Sequence, residues 1–368
     1  QNKMDIEQRQ SKVFRIIRFP LIVLVVFIHG CPNAATLSSI INPVGAKLYC
    51  LASELIRADL GSFAVPCFFV MSGYYFFYMK KDIDMHFYKV QLTKRIKTLL
   101  IPYLIWNLIF ILIPIVRYYI FVHYGKGYDE NYYLVQHHSF FSLIWSVYND
   151  QYLTPIDIPL WYVRDLMCMV ILSPVFYYFI KYTKVYGLVA LTILYLSGLN
   201  TNIPGFDVVS FLSFGAGAFC ALRNINIVEL LSKYKSFAYA SSILLLVVIA
   251  CLRYMDSQFI GYFIRLFSIV GIVAMVNLMN SLIEKEKLTA KLTSLSSAVF
   301  FIYAVHYNYI VGFVRKLYSL TFLSKSWSVL FISYVLISLT CVLVCYGLYL
   351  LVKRFAPKVL SVLAGGRY

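Results

Sequence analysis

Arg18 and His29, in the first apolar stretch, have the types and spacing for chemistry on an anionic, activated substrate. They are 11 positions apart. At about 100° per residue that is about 1100°, within roughly 20° of three full turns, so on a helix they share one face about 16 Å apart along the axis. Arg15 lies one turn from Arg18 on much the same face. A cationic anchor at one mouth of a membrane and an imidazole deep within it suit a long anionic donor. Its phosphates would stay near water while its reactive end reaches inward, where a group titrating near neutrality can take a proton from an acceptor hydroxyl. The same residues also read as topology charge plus a histidine bonded to a neighbouring helix, and spacing alone leaves both open.

Other polar groups interrupt apolar sequence, where ionisable side chains are costly and mark candidate functional sites. Ser72, Gly73 and Tyr74 end the run that starts at Pro66. The Ser-Gly step lets a second backbone approach or the helix open around a ligand. Lys94, Arg95 and Lys97 precede Pro102-Tyr103 and offer a second phosphate-binding patch. Both elements also read as helix packing and topology charge. Trp161 and Arg164 are one turn apart, the spacing of a cation and stacking surface facing a cavity. Arg164 and Asp165 are adjacent, so they are expected on different helix faces with separate partners, a structural ion pair being the competing expectation. Arg265 and His306 complete the set of candidate substrate contacts, although a lone histidine on an apolar face is as a rule a packing residue. No His-Glu-x-x-His, Walker loop, Gly-x-Ser-x-Gly elbow or Asp-rich diphosphate motif occurs. Neither metal chemistry nor nucleotide hydrolysis has support, and no metal is expected.

The elements that must position these groups are membrane spans. Of 368 residues, 61% are apolar, 18% aromatic and 13% charged, with mean hydropathy +0.75. A soluble domain averages about 45 to 50% apolar and about 25% charged, so an ordinary soluble enzyme is excluded, and so is disorder. A bilayer core about 30 Å thick needs roughly 20 apolar residues per helix. About ten stretches qualify, near 16–33, 58–79, 98–122, 156–180, 185–200, 205–222, 236–252, 257–283, 295–314 and 328–352. They lack the alternation of barrel strands. The fold expected is therefore all-α and polytopic, a single transmembrane domain over residues 1–368.

The net charge of +17 follows the same topology instead of marking a nucleic-acid surface. Of 33 Lys and Arg, 23 fall in the tails and alternate connections that share a side with the N-terminus, eight in the others, and Arg164 and Arg265 inside spans. This bias predicts both termini in the cytoplasm. No Ala-x-Ala-like exit follows the first span, so it is expected to be retained. The connection 123–155 carries His123, Tyr124, Tyr128, Tyr132, Tyr133, His137 and His138, an extracytoplasmic cap that suits either sugar stacking or an interface belt. The cysteines lie mostly in or beside apolar runs without a CxxC pair, and are expected to pack instead of forming disulfides.

Taken in order, five segments resemble the membrane-bound acyltransferase 3 family. They are Arg18 with His29, Phe68 to Tyr74, the basic stretch at Arg95 leading to Pro102-Tyr103, Leu160-Trp161-Tyr162, and Phe301 to His306. The resemblance covers most of the chain. It implies transfer of an acyl group, acetyl ahead of succinyl, from cytoplasmic acyl-CoA to a hydroxyl of a carbohydrate or lipid-linked glycan in the bacterial inner membrane. It implies His29 as catalytic base and Arg18 in donor binding, with Arg15, Arg95 and Lys97 adding cationic contacts to the CoA phosphates. Ser72, Tyr74, Trp161, Arg164, Arg265 and His306 are left to contact substrate. The family's Arg-x-x-Arg element departs here to Arg95 followed by Thr98, with Lys97 between. The esterase-like domain fused to many relatives is not in this sequence. A covalent acyl-enzyme through Ser72 has no activating neighbour in sequence and ranks below direct transfer. The competing expectation is a transporter or flippase moving a glycan or lipid-linked sugar without acyl chemistry.

Overall fold

The computed structural model of the protein describes residues 3–30, 42–78, 84–122, 130–149, 152–323 and 326–366. Lys80, Lys81, Lys126, Lys325 and Arg367 of the charge pattern, Cys31, and His123, Tyr124, Tyr128, Asp129 and Asp150 lie outside them. The chain is almost wholly helical. The elements that frame the site are α1 (Lys3–Ile16), α2 (Arg18–Gly30), α3 (Pro43–Glu54), α4 (Ala64–Phe77), α5 (Met85–Arg95), α6 (Ile101–Val122), α7 (Trp161–Ile171) and α8 (Ser173–Ser197). After these come α9 (Val208–Leu222), α10 (Lys235–Tyr254), α11 (Ile260–Leu282), α12 (Glu286–Leu295), α13 (Val299–Val305) and α14 (Trp327–Phe355). The connection after α6 folds into two short helices and a hairpin pairing β1 (Val147–Asn149) with β2 (Tyr152–Thr154) antiparallel.

Local sequence sets several boundaries. Asn42 caps α3, its side chain accepting from the Gly45 N–H at 2.7 Å with Pro43 at the first turn. Asp84 caps α5 by accepting from Phe87 N at 2.6 Å. Gly198 ends α8 in the left-handed region at φ +81°. Three π-helical turns, Leu55–Asp59, Ile96–Leu100 and His306–Ile310, fall beside polar residues that the apolar pattern singles out, as such turns often do at functional sites.

Eight helical stretches among the described residues are long and apolar enough to cross a membrane, against ten expected from the sequence. The difference lies around α7 to α9. The expected spans 156–180 and 185–200 appear as α7, which is short, and α8, which is broken at Lys184 (φ +56°, ψ −133°). The sixth appears as the 15-residue α9. A left-handed lysine carries no Gly or Pro signal, so the break is invisible in sequence.

Two ends of the bundle can be told apart by their hydrogen bonds. At α1, Arg9 Nε donates to Asn280 Oδ1 (2.7 Å), the Ile227 N–H to Gln10 Oε1 (2.6 Å), Tyr78 OH to Glu7 (3.1 Å) and Ser296 Oγ to the Arg15 carbonyl (2.7 Å). The last turns of α4 and α11, the segment after α9 and the residues before α13 therefore share the N-terminal end. At the other end Arg253 grips Asp59 with two bonds of 2.7 and 2.8 Å, Lys47 meets Asp256 at 3.3 Å, and Arg315 Nη2 donates to the His29 carbonyl at 2.7 Å.

The closest helix pair is α4 with α9. A Cβ on Gly73 would meet the Phe214 carbonyl, and one on Gly217 the Val70 carbonyl, both rigid backbone. Gly217→Val should therefore cost about 1–3 kcal/mol or more by overpacking, read as a lower thermal midpoint of the purified protein. Gly312→Ala, where a Cβ meets nothing within 4 Å, should leave the midpoint nearly unchanged.

Candidate active site

Arg18, Ile22 and Val25 occupy one face of α2 at helical spacing, and this face lines a cavity of about 420 Å³. α4 contributes Phe68, Ser72 and Tyr75. Arg95 and Leu99 enter from α5 and the π turn after it, Tyr162 and Leu166 from α7, and Ser296, Phe300 and Tyr303 from α13 and the turn before it. The volume falls in the range of small-molecule sites. The lining is mostly apolar and contains two arginines but no carboxylate, so its charged contacts favour an anion.

The arginines lie toward the N-terminal end. Ser296, which bonds the Arg15 carbonyl, lines the same mouth as Arg18. The Arg95 guanidinium sits 6.0 Å over the Phe76 ring, and its buried Nε has no hydrogen-bond partner among the described residues. A buried donor left unmade is costly, and an oxyanion in the cavity would satisfy it. Ser72 Oγ lies 3.1 Å from Tyr162 OH, a phenol and not a base, so this partner does not activate it as a nucleophile.

Val25 and Tyr303 line the cavity, and neither histidine does. One turn beyond Val25 stands His29, and three residues beyond Tyr303 stands His306. Their rings are 5.3 Å apart by centroid, with Tyr307 4.5 Å from His29. His306 is fully buried, and its Nδ1 lies 2.8 Å from the Tyr303 carbonyl and 3.2 Å from that of Ile302. A carbonyl only accepts, so Nδ1 carries the proton and Nε2 presents its lone pair. That Nε2 is buried with no partner among the described residues. The site thus holds two imidazoles, one with its tautomer fixed.

The other expected site residues are dispersed. Arg15 and Lys97 are exposed and do not line the cavity. Tyr74 is buried against Phe14 and Tyr78, and its neighbour Tyr75 faces the cavity instead. Arg265 packs its guanidinium by Gly198 and 5.0 Å over Tyr262, and it does not line the cavity. Trp161 and Arg164 line a second cavity. Of the two expectations for Arg164 and Asp165 the structure shows the ion pair, Arg164 Nε donating to Asp165 Oδ1 at 2.9 Å with both side chains almost fully buried, while Asp165 keeps a further partner in Ser210. The long arginine stem folds back along the helix. Its Nη1 donates to the Trp145 and Leu153 carbonyls at 2.8 Å, and its guanidinium lies 5.9 Å over Trp145 instead of Trp161. Tyr162 and Tyr303 lie in two of the family-like segments, Leu160 to Tyr162 and Phe301 to His306, but are not singled out as site residues among 32 tyrosines.

A model of the acyltransferase domain matches residues 13–350, which takes in α2, both arginines of the cavity and both histidines. The chain is also similar to the succinoglycan biosynthesis protein ExoH of Rhizobium meliloti (strain 1021), at 28% identity covering 97% of this chain and 92% of that one. No solved structure matches the chain. The family match spans the bundle and the cavity within it, and the protein therefore belongs to the acyltransferase domain family as an integral membrane protein.

Proposed function

We propose that the protein transfers an acyl group, acetyl ahead of succinyl, from cytoplasmic acyl-CoA to a hydroxyl of a polysaccharide or its lipid-linked precursor, in the bacterial inner membrane. The observation that carries this reading is one cavity lined by Arg18, Ile22 and Val25 along one face of α2, with two arginines in its lining and paired imidazoles one turn past Val25. The N-terminal end, where the basic residues concentrate, faces the cytoplasm in this reading. A relative named for succinoglycan biosynthesis supports a polysaccharide acceptor.

Arg18 and Arg95 hold CoA phosphates, and the pantetheine arm lies along Ile22 and Val25 among the apolar lining. Binding there aligns the thioester with the acceptor. His29 takes the proton as the acceptor oxygen bonds to the thioester carbonyl carbon. The C–S bond then breaks, and the leaving CoA thiolate takes the proton from the His29 imidazolium. His306 Nε2, beside His29, accepts a hydrogen bond from the imidazolium and stabilises it.

Membranes containing the protein, given radiolabelled acetyl-CoA, should label a glycan fraction. Labelled glycan is the expected result, whereas glycan movement across the membrane without any label would support the transporter. Arg18→Gln and Arg95→Gln should each raise the KM for acetyl-CoA. A charge-assisted contact is worth about 1.5–3 kcal/mol, so the rise should be about 10- to 100-fold in initial-rate measurements, with little change in kcat.

A further inference from the structure

α7 separates two cavities. Tyr162, Val163 and Leu166 face the first, while Trp161, Arg164 and Asp165 face a second of about 410 Å³. The second is completed by Thr154 and by the segment between α8 and α9, which contributes Asn200, Asn202 and Asp207. Asp207 caps the start of α9, whose far end leads into the contact with α1. The second cavity therefore lies at the end of the bundle opposite Arg18.

Its walls are built. Arg164 ties α7 to the Leu153 and Trp145 carbonyls and to Asp165. The segment from Gly198 to Asp207 is held by Thr201 Oγ1 donating to the Phe206 carbonyl at 2.6 Å and by two left-handed glycines. A Cβ on the second of these, Gly205, would lie 2.6 Å from Cys168 Sγ of α7. Besides the Arg164–Asp165 pair, the lining combines an indole, the Asp207 carboxylate, two primary amides and a hydroxyl. A pyranose is matched by such a set, with its C–H face on the ring and its vicinal hydroxyls on the carboxylate and amides. Arg164 faces both Asp165 and Asp207, so the charged lining sums to one negative charge, which disfavours an acidic sugar.

We propose that this second cavity binds a neutral hexose unit of the acceptor glycan on the side of the membrane away from the CoA mouth. It rests on the acyl-transfer reading above and adds where, and by which residues, the acceptor is held. The donor and this hexose unit then lie on opposite faces of α7, and the hydroxyl that reacts at His29 belongs to another unit of the same glycan.

The test is initial-rate transfer from radiolabelled acetyl-CoA to the lipid-linked oligosaccharide fraction of the same cells, using the full-length protein in membranes. Asp207→Asn retains a helix-capping side chain, so it can fold as the wild type does, and Trp161→Ala removes the stacking face. Each should raise the KM for oligosaccharide at least tenfold, with kcat and the KM for acetyl-CoA within twofold. An unchanged oligosaccharide KM in both variants overturns the assignment and leaves acyl transfer standing. So does a shift of both KM values together, which is the mark of a structural role. No transfer by the wild type removes the acyl-transfer reading and the acceptor site with it.

Discussion

His29→Ala should lower kcat for acyl transfer by about 10²- to 10⁴-fold, the range for loss of a positioned general base, while acyl-CoA still binds. Arg18, at the start of α2, and Arg95, at the end of α5, line the cavity and are untouched by the substitution, so the Kd measured by titration with acyl-CoA should stay within about twofold. His306→Ala should also cut kcat, because the Nε2 lone pair beside His29 is lost. Two residues acting as a unit do not add. The double variant should therefore be no slower than about the worse single one. Independent, multiplicative losses would separate the two imidazoles in function.

The second large effect concerns stability. Arg253 and Asp59 form a bidentate pair whose side chains are 11% and 2% exposed. Arg253→Ala leaves a buried carboxylate without its cation, and breaking a buried pair from one side costs about 3–5 kcal/mol. The thermal midpoint of the purified protein should fall sharply. Asp59→Leu with Arg253→Met should recover most of the loss, since apolar residues of similar volume often replace such a pair at no cost. Asp59 ends the π turn before Gly61, where a Cβ would press on Ile28 beside His29. Loosening this pair should therefore also reduce transfer more than binding.

The face carrying Arg18 and His29 was legible because helical periodicity is a local property, and α2 keeps it from Arg18 to Gly30. The all-α membrane architecture was legible from the length of the apolar runs. The rest depends on contacts that sequence spacing does not encode. His306 meets His29 from 277 positions away, and its fixed tautomer comes from carbonyls of its own helix. The fold-back of Arg164 onto Asp165 defeats a rule based on Cβ directions alone, because a long side chain can cross a face boundary. Tyr74 and Tyr75 differ by one position, yet only Tyr75 reaches the cavity. Phe14 of α1 touches both rings, and only Tyr74 also packs on Tyr78.

The most direct measurement is a structure of the protein with a non-transferable acetyl-CoA analogue. The account predicts the phosphates at Arg18 and Arg95, the pantetheine arm between α2, α4 and α13, and the carbonyl carbon beside His29. An analogue bound elsewhere, with this cavity empty and both imidazoles out of its reach, would contradict it.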